Sequence, residues 1–244
     1  MADNRVTGEA RPMRFGVVAP ISTDMPAWRD QVRRIADSGY STLLMPDVPQ
    51  WQPLPGPALA IAATLTDLRV GTWVYASPLR APLSLAWEAH SLSVLTEGRF
   101  EMGIGTGRPG IEDELGQLGL PITTPAERLS QLHDTVTALR ELDGASLHTP
   151  VVMAVRGPKA RAVAAEVADT VTFAAMPGES RDEFMQMARN SAPPATSNSR
   201  STCRWSATPW PRSWRHRIPT PQRCVLRTRC WSCQVTRRPP SRNY

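Results

Sequence analysis

The strongest chemical signal in this sequence is Arg156-Gly157-Pro158-Lys159, which joins an apolar segment, Pro150 to Val155, to a run with helical spacing. Glycine lets the backbone come close to a ligand, and proline opens a helix where its missing N–H costs nothing. A helix N-terminus offers unpaired N–H groups and the positive end of a dipole, and Arg156, Lys159 and Arg161 add charge. This suits a phosphate, although an ordinary strand–helix turn with solvated basic residues has the same local pattern. A second signal is Gly105-Thr106-Gly107-Arg108-Pro109-Gly110, which has G-x-G-x-x-G spacing. As a dinucleotide fingerprint it is poor. Pro109 interrupts the turn, no helix is predicted before Thr124, and no strand-end acid follows about 20 residues on. The glycines are better read as backbone against which a flat ligand can lie.

Other catalytic patterns are missing from the sequence. There is no G-x-S-x-G, no Walker A and no H-E-x-x-H motif, and His90, His133 and His148 lack metal-ligand spacing. Residues 1–190 contain no cysteine, which excludes a thiol nucleophile there. Glu112-Asp113-Glu114 reads as a solvated loop. Asp47 is either a ligand contact or a cap for the following turn. Trp73 and Tyr75 share one strand face by alternation and serve either the core or the site. With so few candidate acids and bases, a bound cofactor is expected to carry the chemistry.

The elements that must position these residues alternate regularly. Strands are predicted at 13–19, 41–45, 68–75, 99–104, 150–155 and 170–174. The helices between them are marked by Asp24 before Pro26, by small residues at 57–65, by 81–95 closed at Gly98, and by the capping box Thr124-Pro125-Ala126-Glu127. Leu129, Leu132, Val136 and Leu139 then form one apolar stripe. Helices at 158–168 and 181–189 complete the series. The connection from Gly105 to Thr123 is long for a strand–helix loop and is expected to act as a lid. Six such units imply a parallel sheet covered by helices. A doubly wound sheet and a (β/α)8 TIM-type barrel both fit; a repeat of about 25–30 residues in about 250 favours an α/β barrel. The pattern stops at six units, so the barrel is expected to be incomplete. In a barrel the site lies at the C-terminal strand ends, which places Asp47, Tyr75, Gly105, Thr106, Gly107, Arg108, Arg156 and Gly157 on one rim.

Charge divides the chain. Residues 191–244 hold 11 of the 28 basic residues and none of the 22 acidic ones, so the net +6 conceals an acidic body. All four cysteines lie in this tail and all 15 glycines before it, so a packed continuation of the body is not expected there. Cys230-Trp231-Ser232-Cys233 has no second half for a metal site, and arginines among tryptophans would suit a nucleic-acid arm. The composition is better explained as out-of-frame translation of a GC-rich gene. The expected organisation is a flexible N-terminus (1–12), a barrel domain (13–190) and a disordered or frameshifted tail (191–244) that supplies no buried strand. No apolar run approaches the roughly 18 residues of a membrane span, and residues 1–12 have no signal-peptide core.

Several segments resemble the bacterial luciferase-like superfamily of flavin-dependent monooxygenases and coenzyme F420-dependent oxidoreductases. They are Leu68 to Val74, Leu95 to Gly107 with its "L…GR-strand-GxGxG" signature, Glu127-Arg128-Leu129, and Val151 to Val171 ending in Ala168-Asp169-Thr170-Val171. The resemblance implies a (β/α)8 barrel and a soluble cytoplasmic oxidoreductase acting on a small organic molecule, with no nucleic-acid or membrane partner; a homodimer is open for a full-length chain. It implies that Asp47 lies near the cofactor ring and that Trp73-Val74 is a cis peptide behind it. Gly105, Thr106 and Gly107 would line its face, and Ala154, Arg156, Gly157 and Pro158 would bind its phosphate. Tyr75 and Arg108 fall to the substrate side. Coenzyme F420 is favoured, with FMN the alternative cofactor and a non-catalytic fragment the alternative role. Val48 and Arg108 stand where some F420 dehydrogenases carry an acid–base His and Glu, which disfavours sugar-phosphate oxidation.

Overall fold

Short apolar strands, each followed by a helix, build a curved parallel sheet in the computed structural model, which describes residues 14–21, 24–49, 51–175, 180–189, 204–209 and 224–227. The strands are β1 (Phe15–Val18), β2 (Thr42–Met45), β3 (Arg69–Thr72), β4 (Tyr75–Ala76), β5 (Phe100–Gly105), β6 (Val151–Val155), β7 (Thr170–Ala175), β8 (Arg204–Pro209) and β9 (Cys224–Arg227). The helices are α1 (Met25–Asp37), α2 (Pro55–Leu65), α3 (Pro82–Leu95), α4 (Ile111–Gln117), α5 (Pro125–Asp143), α6 (Pro158–Val167) and α7 (Arg181–Arg189). Sheet order is β8-β7-β6-β5-β3-β2-β1-β9, with β4 beside β5. This is the half-barrel expected from six β–α units.

Alternation sorts each strand into two faces. Phe100, Met102 and Ile104 of β5 and Val151, Met153 and Val155 of β6 are buried with Leu132, Val136 and Leu139 of α5 in one core between sheet and helices. On the other face of β5, Glu101 receives Arg69 (2.6 Å) and Arg14 (3.1 Å), while Gly103 and Gly105 follow toward the rim. Local signals were read correctly at the helix starts. Asp24 caps α1 through the Ala27 N–H (3.3 Å), and Thr124 and Glu127 exchange both bonds of a capping box.

One irregularity shapes the rim. β3 pairs with β5 at Val70–Phe100 and Gly71–Glu101, and pairing resumes between β4 and β5 at Tyr75–Ile104. Thr72, Trp73 and Val74 therefore face only Met102 and Gly103, a one-residue bulge. The Thr72 hydroxyl replaces the interrupted ladder, donating to the Gly103 carbonyl (2.7 Å) and accepting the Gly103 N–H (3.0 Å). The Trp73-Val74 peptide in this bulge is cis, as the resemblance implied. The shifted register sets Tyr75 in the helix-facing core beside Ile104, a residue out of step with the simple alternation expected from the sequence.

Two further segments carry elements that the sequence reading lacked. Gly105 to Thr123 is not a plain loop, because α4 folds within it. Residues 204–209 and 224–227 form strands: β8 runs parallel to β7 and β9 antiparallel to β1. An unclosed parallel sheet leaves edge N–H and C=O groups that an extended segment can satisfy through its backbone, whatever its side chains. The expected flexible 1–12 and most of 191–244 lie outside the described residues.

At the other end of the barrel, Asp143 closes α5 onto α3 and the start of β6. Its carboxylate lies 2.8 Å from His90 Nδ1 and accepts the Thr149 N–H at 2.7 Å. Burial opposes its ionisation, but hydrogen bonds from His90 and Thr149 outweigh this and hold it below the usual carboxylate range. A depressed folded-state value stabilises the fold above the unfolded pKa of about 3.9, and that contribution is lost as pH falls through the lower folded value. Asp143→Asn should therefore lower stability by roughly 1–3 kcal/mol at neutral pH, with the difference from wild type shrinking as pH drops below about 4 in urea titrations. Thr72→Val, close in volume but unable to bridge Gly103, should cost about 1–3 kcal/mol in the same assay.

Candidate functional site

The C-terminal strand ends gather most of the residues singled out in the sequence. Behind β2, Gln52 ties two strand ends together: its side-chain oxygen accepts the Ile21 N–H (3.1 Å) and its amide donates to the Pro46 carbonyl. Asp47 sits on this ridge with its side chain 1% exposed. Both its oxygens are engaged. Oδ2 accepts the Ala76 N–H (3.1 Å) and Arg80 (2.6 Å), and Oδ1 accepts Arg80 (2.8 Å). Asp47 thus anchors the bulged strand through Ala76 and Arg80.

Tyr75 is likewise engaged. Its ring is fully buried, its hydroxyl donates to Glu88 Oε1 (2.7 Å), and the Arg80 guanidinium lies 5.0 Å from the ring centroid. Burial first, and Glu88 second, push the phenol well above its ordinary range, so it remains protonated. Of the two roles left open for it, Tyr75 takes a place in the core cluster. Burial disfavours the Arg80 cation, but Asp47 outweighs this and keeps it charged.

Val74, Gly105 and Ala154 come together. A Cβ built on Gly105 would lie 3.2 Å from Val74 Cγ2 and 3.4 Å from Ala154 Cβ. The three form a smooth wall with no side chain longer than valine. Gly103, one step deeper, has no room for a side chain, since a Cβ would lie 2.0 Å from the Thr72 carbonyl oxygen. Trp73, Thr106, Gly107 and Arg108 are half-buried around this wall. Two residues beyond Ala154, Arg156, Gly157 and Pro158 are exposed at the start of α6, and the Gly157 N-cap supplies no side-chain hydrogen bond. Among the described residues, a Cβ on Gly157 would meet nothing within 4 Å, which leaves room for an approaching group beside the start of α6.

The segment after β5 is anchored instead of solvated. Ile111 and Leu115 of α4 pack with Ala76. Glu114 is buried, with Arg108 Nη2 at 2.9 Å from its Oε2. Arg108 in turn lies 5.8 Å from the ring centroid of Trp51 on the loop after β2. Glu112 pairs with Arg128 at 2.7 Å. The solvated-loop reading of Glu112-Asp113-Glu114 is corrected in part: the three residues open α4 and Glu114 is buried against Arg108, while Asp113 is exposed and Glu112 half-exposed; no hydrophobic period long enough to announce α4 exists. Gln52, Arg80, Glu88 and Trp51 were also missed, because an isolated polar or aromatic residue carries no spacing signal.

The small-residue wall and the open helix start suit a flat molecule bearing a phosphate, so the residues fit a flavin-type cofactor. Among the described residues, no group of three or more His, Cys, Asp and Glu is placed to hold a metal ion. No described helix is long and apolar enough to cross a membrane.

Fold and rim together define a β/α-barrel protein of the type that works at its C-terminal strand ends. The profile of the luciferase-like monooxygenase family matches residues 13–201, and the chain belongs to that family. No curated protein matches it. Among solved structures, it is similar to a coenzyme F420-dependent tetrahydromethanopterin reductase from Methanopyrus kandleri, at 17% identity and TM-score 0.57 over 73% of this chain and 60% of that one. It is similar to an F420-dependent secondary alcohol dehydrogenase at 17% identity and TM-score 0.60, over 79% of this chain and 67% of that one. An EDTA monooxygenase from Chelativorans sp. BNC1 matches at 14% identity and TM-score 0.59, over 75% of this chain and 54% of that one. At these identities the likeness is one of fold, and the chain spans about half to two thirds of these proteins.

If α4 is held by its buried charge, Arg108→Met should destabilise the protein by up to about 3 kcal/mol by leaving Glu114 unpaired. The double variant Arg108→Met/Glu114→Leu should recover most of that loss in urea denaturation.

Proposed function

We propose that this protein is an oxidoreductase that uses coenzyme F420 to exchange hydride with a small organic substrate. The observation that carries the reading is the pairing of a smooth wall, Val74–Gly105–Ala154, with the open N-terminus of α6. Such a rim can bind a flat cofactor, and the nearby carboxylates of Asp47 and Glu114 are committed to Arg80 and Arg108. When bound, the cofactor would supply the hydride chemistry. Val74, Gly105 and Ala154 would support its ring and exclude water from that face. Arg156 would hold its phosphate through charge, with the backbone N–H groups of Gly157 and Lys159 beside it, while Pro158 opens the helix without an N–H to offer. Substrate would enter over the opposite face, near Trp73 and Arg108.

The resemblance of Leu68 to Val74 to the F420-using branch tilts the choice of cofactor. FMN-dependent oxygenation is the second reading, and the same wall and helix start support it. The two separate in one assay: substrate-dependent change in deazaflavin absorbance supports F420, whereas oxygen consumption with reduced FMN sinks it in favour of the monooxygenase.

A homodimer belongs to the same proposal. Leu83, Trp87 and Val94 lie exposed on one side of α3, beside Leu95 at its end, an apolar stripe that a second copy would cover.

Arg156→Glu should weaken cofactor binding at least tenfold in fluorescence titration by placing negative charge at the start of α6. Unchanged affinity would remove the phosphate role of this turn.

A further inference from the structure

We propose that Arg80 is a positioning residue for the cofactor-facing wall: by clamping Asp47 and covering Tyr75, it fixes where the bulged strand rejoins the sheet and so sets Val74 against Gly103 and Gly105. The inference rests on the cofactor reading above.

Arg80 follows the short 3-10 turn Ser77–Leu79 that leaves β4. It joins three elements. Its two terminal nitrogens grip Asp47 at the end of β2 at 2.6 and 2.8 Å. Its plane lies over Tyr75 of β4 at 5.0 Å, and its Nε is 3.9 Å from Glu88 Oε2 on α3. The Asp47 oxygen that it holds also accepts the Ala76 N–H, the first hydrogen bond after the bulge on that side of the strand. Tyr75 is fixed from its other end by Glu88. α2 closes over the cluster so tightly that a Cβ on Gly56 would fall 2.1 Å from Glu88 Oε1.

One cation therefore serves two carboxylates, and only a planar, forked group can grip one carboxylate with two nitrogens while lying flat on a ring. Removing Arg80 leaves Asp47 buried and uncompensated on the ridge that holds Ala76. Among the described residues, the bulge is otherwise held by Thr72 at its start, by the Trp73 N–H on the Met45 carbonyl (2.6 Å) and by the Tyr75–Ala76 pairing with β5. Val74, between these points, supplies one side of the wall.

The test uses the full chain and Arg80→Met, which keeps length and removes the fork. Two readouts are taken: amide hydrogen exchange at residues 73–76, measured without cofactor, and dissociation constants for F420 and for FMN. The proposal expects exchange at 73–76 to accelerate at least tenfold while β1 and β2 are unchanged, and the affinity for the bound cofactor to fall at least tenfold. It also expects the affinity losses of Val74→Ala and Arg80→Met to be non-additive in the double variant. Unchanged exchange at 73–76 overturns the positioning role, and accelerated exchange with unchanged affinity overturns its link to the cofactor. Wild-type protein that binds neither cofactor defeats the function reading instead, while the exchange result still decides the role of Arg80 in the bulge. Should Arg80→Met not fold, Asp47→Asn/Arg80→Met removes the stranded charge and is measured in the same way.

Discussion

The extra residue between Gly71 and Tyr75 is the constraint on which the rim depends. A parallel ladder cannot absorb it without losing bonds to β5, and Thr72 makes the loss tolerable by offering one hydroxyl to both polar groups of Gly103. That contact draws the backbones so close that position 103 admits only glycine. It carries Val74 over the glycine face of β5, and it reverses the face on which Tyr75 emerges. A smooth wall on one side and a buried aromatic–carboxylate cluster on the other are two consequences of one shift in register.

The charges near the rim follow from the same geometry. Asp47, Arg80 and Glu88 converge because the strand must be fastened where it resumes pairing, and Arg108 and Glu114 join because α4 must be held over the end of β5. Buried charges persist only when paired. Once paired, they are poor candidates for proton transfer, and the rim is left with backbone, small side chains and the start of α6. A site of that kind contributes shape and electrostatics, and leaves the reactive atoms to a bound molecule.

Much of the scaffold was legible in the sequence because its signals are local. The Thr124–Glu127 capping box, the Leu132–Val136–Leu139 stripe and the Gly98 stop each act within a few residues. The placing of Gly105 and of Arg156 to Pro158 at strand ends was legible for the same reason. What stayed hidden depends on pairing between distant segments. Nothing in Leu68 to Tyr75 announces that one residue is surplus to the ladder. The partner of Asp47 is Arg80, whose own neighbours give no reason to single it out. The strands at 204–209 and 224–227 follow from the open edges of β7 and β1 more than from their own residues.

The account stands or falls on where a cofactor lies. A crystal structure of the full chain soaked with F420 measures this directly. The account predicts the ring against Val74, Gly105 and Ala154, with the phosphate at the N–H groups beyond Gly157. A ring bound elsewhere, or a phosphate that leaves the start of α6 untouched, would contradict it.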